Sequence, residues 1–225
     1  MRTKTLLLSA AALVAGVVSS QAQSNVYSAN IVGYVTTVFQ PAGKYTLVAN
    51  PLDSGSNNVV GLVDATLPNK SQVLVWDPVG QTFITASKGG GSWDTNIAIA
   101  PGVGFFVKTP NAQVAPITNT FVGNIIASPN GGTNRVALPA AYYLSGTPIP
   151  FTGALADPQG TNQVNLGSTL PNKSQVLAWD ANGQTFITAS KGAGAWDTNL
   201  AIVPGAGYFI SSKAATNWDQ QLQVQ

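Results

Sequence analysis

The chain contains no histidine, no cysteine and no glutamate, and a single methionine. Without histidine it lacks the commonest general base and the imidazole metal ligand; without cysteine it lacks thiol nucleophiles, thiolate zinc sites and disulfides. Every side-chain carboxylate is an aspartate. Charged residues are also scarce, at 8% of the chain against about 25% in an ordinary soluble domain. Long apolar runs are missing after the N-terminus. The one at residues 6–18 (LLLSAAALVAGVV) falls short of the roughly 20 residues that span a bilayer.

That run identifies a targeting segment. Arg2 and Lys4 precede it, and the small residues of SSQAQS follow it, the pattern of a secretory signal peptide cleaved after Ala22. Residues 1–22 are therefore expected to be removed, leaving a secreted, extracellular or cell-surface protein, with the periplasm as the other destination and no membrane span. Of ten basic residues two leave with this segment, so eight face eight aspartates. A neutral chain has no basic footprint for nucleic acid, and low surface charge does little to oppose self-association.

What is present is a repeat. Residues 65–108 align with 168–211 at a constant offset of 103, with 32 of 44 positions identical. Upstream, IVGYV (31–35) resembles FVGNI (121–125), and YTLVANPL (45–52) resembles YYLSGTPI (142–149). The expected organisation is a β module at 23–110 and a second at 111–225. The local signals are β: QVLVWD (72–77) and QTFITA (81–86) are short apolar or alternating runs. Between them, Asp77-Pro78-Val79-Gly80 and its counterpart Asp180-Ala181-Asn182-Gly183 fit type I turns. IAPGVGFFVK and IVPGAGYFIS each feed an aromatic strand from a Pro-Gly turn, and NWDQQLQVQ closes the chain as a strand. Residues 57–68 allow a turn or two of helix, stopped by Pro68. The fold class is all-β: two tandem homologous sandwich- or roll-like modules, related by a local twofold, with little helix beyond the signal peptide.

All five tryptophans precede an aspartate. Asp77 and Asp180 open turns, so Trp76 and Trp179 end apolar strands and belong in the core; Trp218 is structural. The loops TASKGGGSWDTN (85–96) and TASKGAGAWDTN (188–199) leave two readings open. Trp93 and Trp196 either fold back as plugs or stand beside their aspartates as a ligand platform. Candidate ligand or partner contacts are Lys88, Trp93, Asp94 and Asn96, with Lys191, Trp196, Asp197 and Asn199 in the second copy. A phosphate loop is excluded because Lys88 precedes the glycines instead of following them. No cofactor is expected. Calcium is the one metal with oxygen-rich stretches to offer, at 53–57 and 94–96, though neither completes an EF-hand loop. Asn69-Lys70-Ser71 and Asn172-Lys173-Ser174 are glycosylation sequons only in a eukaryotic host.

VYSANIVGYV, VLVWD, APGVGFFV, TFVGNI and the closing NW strand together resemble a group of exported bacterial proteins with a duplicated β fold. The resemblance covers nearly all of residues 23–225. It implies export and a repeated β fold, and it supplies no catalytic residues. The expected function is a non-enzymatic structural or adhesive subunit of a cell-surface or extracellular assembly, with itself or other surface components as partners. The alternatives are a carbohydrate-binding module with two related Trp/Asp sites and, third, an aspartate-dependent hydrolase.

Overall fold

The computed structural model describes residues 32–126, 134–156 and 164–220. The expected signal peptide and its cleavage point lie outside the described residues. From Ile31 onward the contacts form one compact unit, which does not divide at the repeat.

The all-β expectation holds. Two five-stranded antiparallel sheets dominate. The first runs β2 (Tyr45–Ala49), β6 (Gly104–Lys108), β3 (Gln72–Asp77), β4 (Thr82–Gly89), β5 (Ser92–Trp93). The second runs β9 (Tyr142–Ser145), β15 (Tyr208–Ser211), β11 (Gln175–Asp180), β12 (Thr185–Gly192), β13 (Ala195–Trp196). The strand order is the same in both. Outside the sheets, β1 (Val32–Phe39) pairs with β7 (Ile117–Asn124), β8 (Asn134–Leu138) with β16 (Thr216–Gln220), and β10 (Gly153–Ala154) with β14 (Ala201–Ile202). Helix is confined to α1 (Val59–Val63) and α2 (Leu166–Thr169) among the described residues. Asn58 caps α1 by accepting from the Gly61 N–H, satisfying a donor the first turn leaves free.

Alternation along each strand decides which face it serves. In β3, Val73 and Val75 join Phe105, Val107, Leu62 and Phe121 in one core, while Leu74 and Trp76 turn to the other face. In β11, Val176 packs with Leu166, Leu170 and Trp218 in a second core, while Leu177 and Trp179 turn away from it. The faces turned away meet in a third cluster built on Leu47, Phe106, Leu144 and Phe209. Each sheet is thus covered on one side by its loops, its short helix and a two-stranded ribbon, β1·β7 for the first and β8·β16 for the second, and on the other side by the other sheet.

The contacts between the sheets come in reciprocal pairs, as a local twofold relation requires. Trp76 lies 5.1 Å from Phe209, and Trp179 lies 5.3 Å from Phe106, both edge-on. Trp76 Nε1 donates to Tyr142 O at 3.0 Å, and Trp179 Nε1 to Tyr45 O at 2.9 Å. Gln81 and Gln184 reach the same two carbonyls through Nε2. Val48 bridges Ala206 where Val103 bridges Ser145. Trp76 and Trp179 are accordingly half-buried between sheets, not sealed inside separate modules.

Each of the two equivalent hairpin turns has one left-handed residue. The left-handed residue is Gln81 (φ 50°), matched by Gln184 (φ 54°), and not the glycine before it. A Cβ on Gly80 would sit 2.7 Å from Asp77 Oδ2, so any larger residue there displaces the turn-opening carboxylate. The unfavourable backbone of Gln81 turns its amide back to Pro78 O and across to Tyr142 O.

The IVGYV and FVGNI segments, matched as repeat equivalents from sequence, are antiparallel partners in β1 and β7, with Gly33 opposite Gly123. Strand pairing therefore joins residues 117–124 to residues 32–39, across the 110/111 boundary expected from sequence.

Candidate functional site

The phrase written twice forms a hairpin in both copies. In the first, β4 and β5 are joined by Gly90 (φ 60°) and Gly91 (φ 88°); in the second, β12 and β13 are joined by Ala193 (φ 49°) and Gly194 (φ 86°). Two successive positive φ values give the tight turn that suits a twisted ribbon. Asn69 Oδ1 accepts from the Gly91 N–H and Asn172 Oδ1 from the Gly194 N–H, each at 2.8 Å. The glycine-rich run is therefore turn geometry held by a neighbouring loop.

The polar side chains of the loop are committed to the chain's own backbone. Lys88 Nζ donates to Asp64 O at 2.7 Å and Leu67 O at 2.8 Å, where α1 leaves carbonyls without helical donors, and pairs with Asp64 Oδ1 at 2.8 Å. Trp93 Nε1 donates to the same Asp64 Oδ1, and its ring lies under Lys88 Nζ at 5.9 Å. Asp94 Oδ1 accepts from the Ser87 N–H, and Asn96 Oδ1 from the Val60 N–H. In the second copy Lys191 Nζ donates to Gly167 O and Leu170 O, Trp196 Nε1 to Gly167 O, Asp197 Oδ1 accepts from the Ser190 N–H, and Asn199 Oδ1 from the Ala156 N–H. Trp93 and Trp196 fold back against the two cores as partly buried side chains. Burial lowers the pKa of Lys191. The structure thus brings each set of four residues together as a clasp that ties the hairpin to the short helix and its flanking segments.

The other described aspartates are likewise bonded within the chain. Asp77 and Asp180 accept from the N–H groups of Val79 and Asn182. Asp53 Oδ1 accepts from the Gly55 N–H and from Asn57 Nδ2, so the oxygen-rich stretch at 53–57 is bonded to itself. Asp219 takes a two-pronged contact from Arg135, at 2.7 and 2.8 Å. Among the described residues no three acidic, histidine or cysteine side chains converge as a metal site. Away from the clasps lie an apolar concavity of about 510 Å³ beside Val79, Leu138, Pro139 and Tyr143, and one of about 420 Å³ beside Lys70 and Lys108.

Three of these carboxyls are held below the ordinary value of 3.8: Asp53 chiefly by the Gly55 N–H, Asp64 by its hydrogen bond from Lys88, and Asp219 by Arg135. A lowered folded-state pKa means the unfolded chain takes up protons first. The stabilisation is complete above 3.8 and is lost as pH falls through the lower folded values. Urea midpoints are expected to stay level from about pH 7 to about pH 5 and to decline below about pH 4. The decline is modest because the Asp64 and Asp219 carboxylates are partly exposed and screened. A midpoint unchanged down to about pH 2 contradicts this assignment.

The chain matches none of the family models, curated proteins or solved structures with which it was compared.

Proposed function

We propose that the protein is an exported, non-enzymatic structural or adhesive subunit of a cell-surface or extracellular assembly. The signal-peptide pattern of residues 1–22 and the resemblance to exported duplicated-β proteins support export. The use of the described aspartates as backbone clasps, turn openers and ion-pair partners supports a structural reading over a hydrolytic one.

The observation that carries the reading is the outer face of the β1·β7 ribbon. Along β1 the residues Val32, Tyr34, Thr36 and Val38 share this face, and Thr118, Thr120 and Val122 of β7 lie opposite them. Tyr34 is 71% exposed, and Val32, Val38 and Val122 lie between 45% and 51%. The face carries no charge. Exposed uncharged strands without a charged or proline gatekeeper are the features that soluble β proteins ordinarily avoid. A patch of this kind marks an interaction surface.

The test is the mass of residues 23–225 by light scattering over a concentration series, with electron microscopy of the same samples. Regular oligomers or filaments are expected. Tyr34→Lys combined with Val122→Lys places two charges opposite each other on the ribbon and is expected to return the protein to monomer. The melting temperature should fall only modestly, since exposed substitutions each cost within about 0.5 kcal/mol and like charges opposite each other add a cost of similar size. A strict monomer at the highest concentration reached removes the assembly reading.

A further inference from the structure

The two clasps differ at one position. Lys88 Nζ has three acceptors, the third being the Asp64 carboxylate. The counterpart of Asp64 at the repeat offset is Gly167, which has no carboxylate to offer. Lys191 Nζ reaches Gly167 O and Leu170 O, each at 2.7 Å. Among the described residues its third N–H meets no acceptor. The carboxylate cannot be restored in place, because a Cβ on Gly167 would lie 1.6 Å from Leu155 O.

Beside this lysine is a cavity of about 310 Å³ lined by Ser190, Lys191, Gly192, Ala195, Trp196 and Asp197. That volume is at the lower end of the roughly 300–1,000 Å³ typical of small-molecule sites. Asp197 uses Oδ1 for the Ser190 N–H, and Oδ2 has no hydrogen-bond partner among the described residues. The lining therefore includes a cationic donor, a carboxylate acceptor and an indole, with Lys191 Nζ 5.8 Å from the centre of the Trp196 ring. Its two charges cancel, which disfavours an ion and favours a neutral ligand with donors and acceptors side by side. A hydroxyl group is both.

We propose that this cavity is a saccharide-binding site present in the second copy alone. Sugar hydroxyls accept from Lys191 Nζ and donate to Asp197 Oδ2, and the ring lies along Trp196. In the first copy the Asp64 carboxylate already holds the corresponding proton of Lys88. Duplication thus left one clasp closed by its own side chain and one with groups to spare. The site does not depend on self-association through the β1·β7 ribbon, so a monomer binds as well as an assembly.

The experiment uses residues 23–225 labelled for NMR and titrated separately with galactose, glucose and mannose to high millimolar concentration. The indole N–H signals of Trp196 and Trp93 and the ε signals of Lys191 and Lys88 are followed together. At least one hexose is expected to give saturable shifts at Trp196 and Lys191 while Trp93 and Lys88 stay still. Lys191→Met is expected to weaken that titration about tenfold or more, as loss of a charge-assisted hydrogen bond predicts, with an unchanged Trp93 signal marking an intact fold. Should that variant fail to fold, the wild-type contrast between the two copies still decides. Silence at Trp196 with all three sugars, or equal movement at Trp93, overturns the proposal.

Discussion

Phe209→Ala is expected to cost about 3–5 kcal/mol, as truncation of a buried aromatic does, and to unfold the whole described unit in one transition. Phe209 is 8% exposed and belongs to the second sheet, yet it packs on residues of both. Its ring lies 5.1 Å from Trp76 and 6.0 Å from Phe83 in the first sheet, and 6.2 Å from Tyr142 and 5.9 Å from Phe186 in its own. Edge-to-face pairs contribute about 0.5–1.5 kcal/mol each beyond burial, so the loss falls on both sheets at once. Reciprocity extends the prediction: Phe106→Ala is expected to match it, because Phe106 meets Trp179 and Phe186 as Phe209 meets Trp76 and Phe83. Fluorescence and near-ultraviolet circular dichroism in urea should give coincident curves shifted to a lower midpoint. Two separate transitions, one of them unmoved by the substitution, would mean that the copies fold independently and that the shared cluster is incidental.

The sequence shows the strands that repeat and alternate, and hides the contacts made only once the sheets meet. QVLVWD has the boundaries expected of it because a strand buried on both faces is apolar at nearly every position. The plug reading of Trp93 and Trp196 fits their half-buried positions. The clasp around each was less legible. Asp64 and Gly167 occupy the same place at the repeat offset, but nothing in the pattern says that one supplies a carboxylate and the other a close approach to Leu155 O. Gln81 and Gln184 were invisible as interface residues, since a left-handed glutamine runs against turn chemistry and is favoured by a carbonyl on the opposite sheet. IVGYV and FVGNI are alike in sequence, and their likeness alone does not say that they pair with each other. Their glycines face each other because the segment Leu52–Ser54 crosses close to both. A Cβ on Gly33 would lie 2.9 Å from Leu52 Cδ2, and one on Gly123 would lie 2.5 Å from Asp53 O. The close approach of one crossing segment accounts for a glycine in each strand.

Trp218→Ala is expected to be among the most damaging tryptophan substitutions, at about 3–5 kcal/mol, although no repeat equivalent marks this residue in the sequence. Trp218 is fully buried in the second core, with its indole N–H donating to Val164 O. The neighbouring polar groups show what the strand is protecting: Gln220, two residues on, is also fully buried and bonds Thr147 through its side chain. Among the described residues β8 is the one strand that pairs with β16, so the side chain on its inner face provides much of its anchorage. Trp218→Phe separates the two contributions. It keeps most of the ring, and leaving Val164 O without its donor should cost about 1–3 kcal/mol. Trp93→Ala, by contrast, removes a half-buried ring whose N–H partner Asp64 remains paired with Lys88, and is expected to cost less than Trp218→Ala. The order Trp218→Ala, then Trp218→Phe, measured as urea midpoints at constant slope, checks the assignment. A Trp218→Ala protein as stable as wild type would mean that β16 is not a structural strand of the second core.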